Sequence, residues 1–160
     1  MRKVEIVPFR AELAQHFQSI NEQWINAMFS MEPLDRAILE DPQGYIVDPG
    51  GQVWFAVVDG LGVVGTCALL RHEGNALELT KMGVLESARG LKVGEKLLKR
   101  VIDEAVRCRP DLLFLLTNRI CAPAIHLYEK NGFVHCPKVK ARYANEYERS
   151  NVYMRYAPLT

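Results

Sequence analysis

The segment Leu85–Gly94 combines residue types and a spacing that suit the binding of a phosphate group. It joins a strand candidate, Ala76–Val84, to a helix candidate that begins near Val93. A glycine-containing loop between a strand and a helix directs several unpaired backbone N–H groups to one point, and the helix dipole adds positive potential there. Arg89 and Lys92 could add charge at the same place. A tight turn is the alternative, because glycines in such a loop often serve only the turn.

Other patterns that carry chemistry are missing from the sequence. The loop contains neither GxxxxGK[ST] nor GxGxxG, which argues against a nucleotide triphosphatase and against a dinucleotide-dependent oxidoreductase. The four cysteines form no CxxC pair and no histidine stands at metal-ligand spacing, so we expect neither a disulfide framework nor a metal site. Surface or packing roles are predicted for three histidines that lack a partner at a useful spacing, namely His72, His126 and His135.

The first half of the chain predicts the strands and helices that precede this loop. A strand ends at Pro8, apolar residues at helical spacing follow from Leu13 to Trp24, and Pro33 can open a second, short helix. Three strand candidates then lie at hairpin spacing, which favours an antiparallel meander. These candidates are Val53–Val58, Val63–Leu70 and Ala76–Val84.

The second half predicts alternating helices and strands. An amphipathic helix from Val93 ends before Pro110, and a wholly apolar strand candidate follows at Leu112–Leu116. The remaining candidates are a helix at Pro123–Lys130, strands at Phe133–Cys136 and Asn151–Tyr156, and one long loop at Pro137–Ser150. The order β-α-α-β-β-β-α-β-α-β-β predicts an α/β fold, with a central mixed sheet of about seven strands and helices on both faces.

Length and composition predict one domain over residues 1–160. Apolar residues make up 49% of the chain, and 20 basic residues against 19 acidic ones give a formal charge of +1. Such a balance supplies no attraction to nucleic acid or to an anionic membrane surface. No apolar run approaches the roughly 20 residues that a membrane span needs, and no signal-peptide core follows the basic start. We therefore expect a soluble, cytoplasmic protein that could form a homodimer.

Five stretches of the sequence together resemble the GNAT superfamily of acyl-CoA-dependent N-acyltransferases. They are Glu78–Val84, Arg89–Gly94, Thr117–Asn118, Ala124–Phe133 and Tyr147–Met154, so the resemblance covers nearly the whole chain. The family loop is usually written [Q/R]-x-x-G-x-[G/A]. Arg89 and Gly94 match this pattern, but Lys92 replaces the inner glycine. Either Lys92 adopts a strained positive φ, or its backbone is ordinary and its ammonium group points at phosphate.

The resemblance implies acetyl-CoA as the co-substrate and assigns residues to its parts. The pantetheine arm would pair with the backbone of Met82, Gly83 and Val84, and Asn118 would hold a pantetheine amide, unless it serves as an N-cap or turn residue. A glycine within a strand, such as Gly83, often marks a bulge or a close approach. The pyrophosphate would lie on seven backbone amides, those of Arg89, Gly90, Leu91, Lys92, Val93, Gly94 and Glu95.

The resemblance also implies two catalytic residues. Acyl transfer to an amine needs a base, donors for the oxyanion and a proton for the leaving thiolate. Glu78 is the predicted base, with an exposed strand carboxylate or a pair with Lys81 as the alternatives. Tyr128 is the predicted proton donor, with a hydrogen-bonded core tyrosine as the alternative. A backbone N–H near Met82 or Gly83 would face the oxyanion.

Acceptor-binding residues are expected from two further segments. Trp24 is predicted to belong to an apolar wall and Glu32 to receive an ammonium group, whereas Tyr147 and Arg149 could bind a carboxylate or close over the site. Core packing and a solvated loop are the alternatives. The function implied is direct transfer of an acetyl group, in a ternary complex, to a primary amine of a small molecule or peptide. A silent CoA-binding sensor and a thioester hydrolase using Cys121 or Cys67 are the competing interpretations.

Overall fold

The structure is a computed structural model that describes residues 2–159, and its strands form one seven-stranded sheet in the order β1-β2-β3-β4-β5-β7-β6. The strands are β1 (Val4–Pro8), β2 (Gln52–Val58), β3 (Gly62–His72), β4 (Ala76–Val84), β5 (Leu112–Thr117), β6 (Phe133–His135) and β7 (Val152–Tyr156). Neighbouring strands are antiparallel except for β4 and β5, which are parallel. The predicted meander and mixed sheet are confirmed.

Helices cover both faces of the sheet, as the sequence predicts. They are α1 (Ala14–Met28), α2 (Pro33–Glu40), α3 (Val93–Arg107), α4 (Ala122–Lys130) and α5 (Pro137–Tyr143). Because successive strand side chains point to opposite faces, Phe55 packs in the cluster formed by α1 and α2, whereas Trp54 packs in the cluster formed by α3 and α4. Short helical turns at Ala11–Leu13, Gln43–Val47 and Glu86–Ala88 complete the connections.

The prediction of an uninterrupted loop over Pro137–Ser150 is wrong, because its first half is α5. Pro137 occupies the first turn, where a missing N–H costs nothing. Val139 and Tyr143, one helical turn apart, are buried in a cluster with Phe114 of β5 and Cys136. This apolar pair gives the segment a face to bury, and the many lysines and arginines around it conceal that pattern in the sequence.

The irregularity of β4 lies at Lys81 and Met82 rather than at Gly83. Thr66 pairs with Gly83 and Ala68 with Thr80, so Cys67 of β3 stands opposite two residues of β4. Lys81 has a φ of 54°, a left-handed conformation that occurs in one type of bulge, where glycine is the usual residue. Gly83 is instead a close-approach glycine, since a Cβ there would lie 2.6 Å from the Trp24 ring.

The sheet opens between β4 and β5. Their parallel pairing spans only three residue pairs and ends where Glu78 lies opposite Phe114. Beyond that point β4 continues to Val84 and β5 to Thr117 without pairing to each other. The edge of β4 from Leu79 onward therefore keeps main-chain groups available for a ligand.

Candidate active site

Two adjoining spaces occupy the opening between β4 and β5. The inner cavity has a volume of about 60 Å³, and its wall includes Lys81, Met82, Asn118, Tyr128, Tyr147 and Arg149. The outer cleft, of about 410 Å³, is bordered by Trp24, Met28, Gly83, Val84, Leu127 and Tyr128. Trp24, Met82 and Tyr128 belong to both walls, so the two spaces meet at these side chains.

The loop between β4 and α3 presents free backbone donors at a helix N-terminus. The amides of Arg89 and Leu91 donate to carbonyls of the preceding turn, at 3.0 and 3.2 Å. Within the described residues, 2–159, no acceptor lies against the other five amides of the predicted set, those of Gly90, Lys92, Val93, Gly94 and Glu95. Unpaired amides at the start of a 15-residue helix form an anion-binding arrangement.

Lys92 adopts the strained alternative of the two that the sequence leaves open. Its φ is 57° and its ψ is 31°, a left-handed conformation immediately before α3 begins. The Lys92 side chain is exposed, and the Arg89 guanidinium pairs with Glu86 at 2.8 Å on the surface. The Arg89 charge is therefore already paired within the chain, whereas five backbone amides of the loop are free.

The Tyr128 hydroxyl opens onto both spaces. Its side chain is 7% exposed and its ring packs edge-on against Phe133, with ring centres 6.0 Å apart. Among residues 2–159 the hydroxyl has no hydrogen-bond partner, unlike the satisfied core tyrosine that is the alternative interpretation. Burial raises the pKa of Tyr128, and the neighbouring Cys67 and Cys121 raise it further. The phenol thus stays protonated at neutral pH and can donate.

Glu78 is buried and paired with His72, for which the sequence predicts only a surface or packing role. It is 3% exposed, and its Oε1 lies 2.8 Å from Nε2 of His72. Neither alternative for Glu78, exposure or a pair with Lys81, describes this arrangement, and the expectation that His72 has no partner is wrong. The His72 ring is held by Phe114 and Tyr143, with ring centres 5.3 and 5.2 Å away.

Asp35, Lys81 and Arg149 form a buried charge cluster behind the inner cavity. Lys81 Nζ donates to Asp35 Oδ1 at 2.6 Å and to the Tyr147 hydroxyl at 3.0 Å. Arg149 donates from both terminal nitrogens to Asp35, at 2.6 and 2.7 Å. The cluster joins α2, the bulge of β4 and the segment that precedes β7, which are far apart in the sequence.

Burial and pairing compete in this cluster. Burial alone would raise the pKa of Asp35, but hydrogen bonds from Arg149 and the charge of Lys81 outweigh it and lower that pKa to about 2. Burial lowers the pKa of Lys81, and Asp35 opposes this effect. Burial also raises the pKa of Tyr147. The carboxylate of Asp35 is therefore the fixed anion of the cluster.

Several predicted binding residues are engaged with other parts of the chain. Glu32 accepts from the backbone amides of Glu148 and Arg149 at 2.9 and 3.3 Å, and these donors replace the predicted ammonium group. Asn118 donates to the Arg149 carbonyl at 2.6 Å and accepts from the Ile120 amide at 2.9 Å, which is the turn role. Trp24 donates to Asn21 at 2.9 Å while its ring borders both spaces.

Three residues of the site, His72, Asp35 and Lys81, were not predicted from the sequence. His72 lies in β3 opposite the start of β4, so its nearness to Glu78 follows from hairpin register that the spacing alone does not show. Asp35 looks like an ordinary first-turn acid of a short helix. A strand lysine between two apolar stretches is the one available signal for Lys81, since an alternating buried strand should exclude it.

No helix between residues 2 and 159 is long and apolar enough to cross a membrane. No cluster of three or more histidine, cysteine, aspartate or glutamate side chains in that range could hold a metal ion.

A known protein family and several known proteins each match part of this chain. The acetyltransferase (GNAT) domain family matches residues 49–135, which is more than half of the 160-residue chain. The chain is similar to the N-acetylaspartate synthetase of Mus musculus, at 37% identity over 94 residues. That match covers 58% of this chain and 31% of the relative, so the chain matches less than a third of the relative's length.

Solved structures share the fold. A GNAT-family acetyltransferase from Staphylococcus aureus Mu50 superposes with a TM-score of 0.84 at 24% identity, covering 96% of this chain and 98% of that one. The N-acetylglutamate synthase of Neisseria gonorrhoeae, solved with coenzyme A and L-arginine, superposes with a TM-score of 0.66 at 21% identity. This second match covers 97% of this chain and 33% of the synthase.

Proposed function

This chain belongs to the GNAT acetyltransferase family, and we propose that it transfers the acetyl group of acetyl-CoA directly to a primary amine of a small molecule or peptide. The observation that carries the proposal is the opening between β4 and β5, which lies between the free amides at the start of α3 and the unpartnered Tyr128 hydroxyl. A pyrophosphate on those amides and a pantetheine arm along Met82, Gly83 and Val84 would bring a thioester to the inner cavity.

Proton removal from the amine is assigned to Glu78. Because Glu78 does not border either space, we expect a water molecule to relay the proton to its carboxylate. His72 is the positioning residue for this base, since it fixes one carboxylate oxygen by the 2.8 Å contact. The His72 side chain is 18% exposed against 4% for Glu78, so the pair also gives the buried carboxylate a connection toward solvent.

Proton supply to the leaving thiolate is assigned to Tyr128. A buried phenol whose pKa is raised remains a neutral donor across the working pH range of most enzymes. Tyr128 borders both the inner cavity and the outer cleft, so the sulfur of a thioester held where they meet would lie near it. A backbone N–H near Met82 or Gly83 would face the oxyanion.

Two of the alternatives fare less well on the same observations, whereas Cys121 borders both spaces, so the thiol-release test without amine decides whether it acts as a hydrolase nucleophile. A cysteine nucleophile at Cys67 is disfavoured, because that thiol is fully buried and burial raises its pKa. A silent CoA-binding subunit needs only the loop and the cleft, and neither the buried Glu78–His72 pair nor the open Tyr128 hydroxyl would serve it.

The test of the proposed function is thiol release from acetyl-CoA in the presence of a panel of primary amines. We expect release that depends on both acetyl-CoA and an amine, with the N-acetylated amine recovered in equal amount. Release without amine would indicate a hydrolase, and saturable acetyl-CoA binding with no release would indicate a sensor.

A further inference from the structure

We infer that Lys81 and Arg149 form a subsite for a carboxylate of the acceptor, which makes the acceptor an amino acid rather than a plain amine. This inference rests on the proposed acetyl transfer and names the acceptor class for the same site. The charged residues on the wall of the inner cavity are both cations. Lys81 and Arg149 border the cavity, whereas the anions that pair with them, Asp35 and Glu32, lie behind them.

Both cations have donors left over. An ammonium group carries three N–H donors and a guanidinium group carries five. Lys81 uses two donors, on Asp35 and on the Tyr147 hydroxyl. Arg149 uses two on Asp35 and a longer one, at 3.4 Å, on Glu32. Within residues 2–159, one N–H of Lys81 and two of Arg149 therefore have no hydrogen-bond acceptor, and both residues border the cavity.

Stability does not account for this arrangement. Burying Lys81 and Asp35 removes two charges from water, and an apolar pair of similar volume would often be at least as stable. Lys81 also adopts a left-handed backbone conformation, with φ of 54°, which a residue with a side chain adopts at a cost. Two unfavourable features at one wall position are the kind of strain that accompanies a binding role.

The same charges disfavour an acceptor that is only cationic. Asp35 and Glu32 offset part of this positive charge, but Lys81 and Arg149 border the inner cavity and the two anions do not. The cations would therefore repel an ammonium group there and lower its pKa, which favours the neutral amine that must attack the thioester. A carboxylate next to that amine would offset the repulsion by binding the two cations. An α-amino acid places the two groups one carbon apart, whereas a polyamine has no anion to offer. The arrangement thus favours amino acids and disfavours polyamines.

The experiment compares matched acceptors with wild-type protein. Acetyl-CoA is combined with a panel of L-amino acids, with the α-amide of each one, and with spermidine. We expect kcat/KM for the acids to exceed that for the amides by about 10-fold or more, because the amide leaves the buried cations unpaired. Amidation lowers the pKa of the neighbouring amine and supplies more free base, so amides would be faster if the carboxylate were not recognised. Equal or faster transfer to the amides or to spermidine overturns the inference.

Substitution of Lys81 tests whether this residue recognises the carboxylate of the acceptor. Lys81→Gln removes the charge but keeps a donor, and we expect it to lower kcat/KM for the acids about 10-fold, mainly through KM, while acetyl-CoA affinity is unchanged. The acid-to-amide ratio should fall toward one. Arg36→Met is the matched control, since it removes an exposed cation of α2 that does not border the cavity, and it should leave the ratio intact. A folded Lys81→Gln protein with the wild-type ratio overturns the inference.

A binding measurement separates this inference from the proposed function. Calorimetric titration of CoA-saturated protein with N-acetyl-L-amino acids and with their amides needs no turnover. Carboxylate-dependent binding supports the subsite even if no amine releases thiol, an outcome in which acetyl transfer alone fails. Equal binding of the acids and amides, or no binding of either, overturns the subsite. This titration and the wild-type acceptor comparison also decide the matter if Lys81→Gln does not fold.

Discussion

Burial is the property that most affects the side chains proposed to handle protons. Tyr128 and Glu78 are 7% and 3% exposed, and each acquires a different chemical setting from its surroundings. Tyr128 has apolar neighbours and a free hydroxyl, which suit a neutral donor. Glu78 has an imidazole partner, which suits a group that exchanges protons through a neighbour.

Tyr128→Phe removes one hydroxyl and leaves the ring packing intact. We expect kcat to fall by about 10–100-fold with little change in acetyl-CoA affinity, because the thiolate of CoA leaves less readily without a proton. Since burial raises the pKa of Tyr128, its ionisation should not contribute a decline in the wild-type rate below about pH 10. The measurement is the pH profile of kcat for both proteins.

Tyr156→Phe provides the control for that prediction. Tyr156 packs against the same Phe133 ring, at 5.5 Å between centres, but borders neither space. Its variant should keep wild-type kcat. If Tyr128→Phe lowers the melting temperature while kcat per folded molecule stays at the wild-type value, the hydroxyl serves only the fold.

Glu78→Gln keeps the shape of the side chain and removes its basicity. Turnover should fall by about 100-fold or more at pH 7, where most of the amine is protonated, and the loss should shrink at high pH, where free amine is abundant. The measurement is kcat/KM against pH. Glu73→Gln, an exposed neighbour of His72 in the β3–β4 turn, is the control and should leave the profile unchanged. A loss of the same size at every pH would make Glu78 a positioning residue instead.

At the scale of elements, one carboxylate connects three segments of the chain. Asp35 of α2 binds Lys81 at the bulge of β4 and Arg149 before β7, so the wall of the inner cavity depends on it. Removing one partner of a buried charge pair leaves the other charge uncompensated, which lowers the free energy of unfolding by about 3–5 kcal/mol. We therefore expect α2 and the segment before β7 to loosen together when Asp35 is neutralised.

The pH dependence of stability tests this connection. The pKa of Asp35 is about 2 in the folded protein and 3.8 ordinarily. Between these two pH values the folded state therefore binds fewer protons than the unfolded state. Its stabilising contribution is complete above about pH 4 and is lost as the pH falls through about 2. Urea unfolding should show Asp35→Asn less stable than wild type at pH 6, with the difference shrinking toward pH 2. Asp103→Asn, at an exposed position of α3, is the control and should have the same unfolding free energy as wild type. A loss of stability in Asp35→Asn that stays constant with pH would contradict the account.

The elements themselves were largely predictable from the sequence, and their junctions were not. The apolar periods of α1 and α3 and the alternation along β2 to β4 report on local burial, so they predict helices and strands directly. The α5 helix and the Lys81 bulge depend instead on which face packs against a distant strand. The partner of Glu78 and the cluster around Asp35 likewise depend on tertiary contacts between residues widely separated in the chain.

At the scale of the whole molecule, the opening between β4 and β5 is the feature on which the proposed function depends. The sheet separates there because the parallel pairing ends at Glu78 and Phe114, and α1 and α4 border the space that results. The resemblance to a family predicts a pantetheine arm along Met82, Gly83 and Val84, which needs such an opening, whereas no local pattern in the sequence predicts it. Five free amides, two just before α3 and three in its first turn, follow the same β4 strand in the chain.

The most direct test is therefore acetyl-CoA binding by wild type and by Gly94→Glu, followed as the change in unfolding free energy. A Cβ at Gly94 would lie 3.6 Å from Leu127 and 3.9 Å from Val84, so the variant has room to fold, while its carboxylate would add negative charge in the first turn of α3, where free amides lie. At 100 times Kd, acetyl-CoA should stabilise wild type by about 2.7 kcal/mol. Lys99→Glu, which adds negative charge on the exposed face of α3, should keep that stabilisation, and Gly94→Glu should abolish it. An unchanged stabilisation in folded Gly94→Glu would contradict the account.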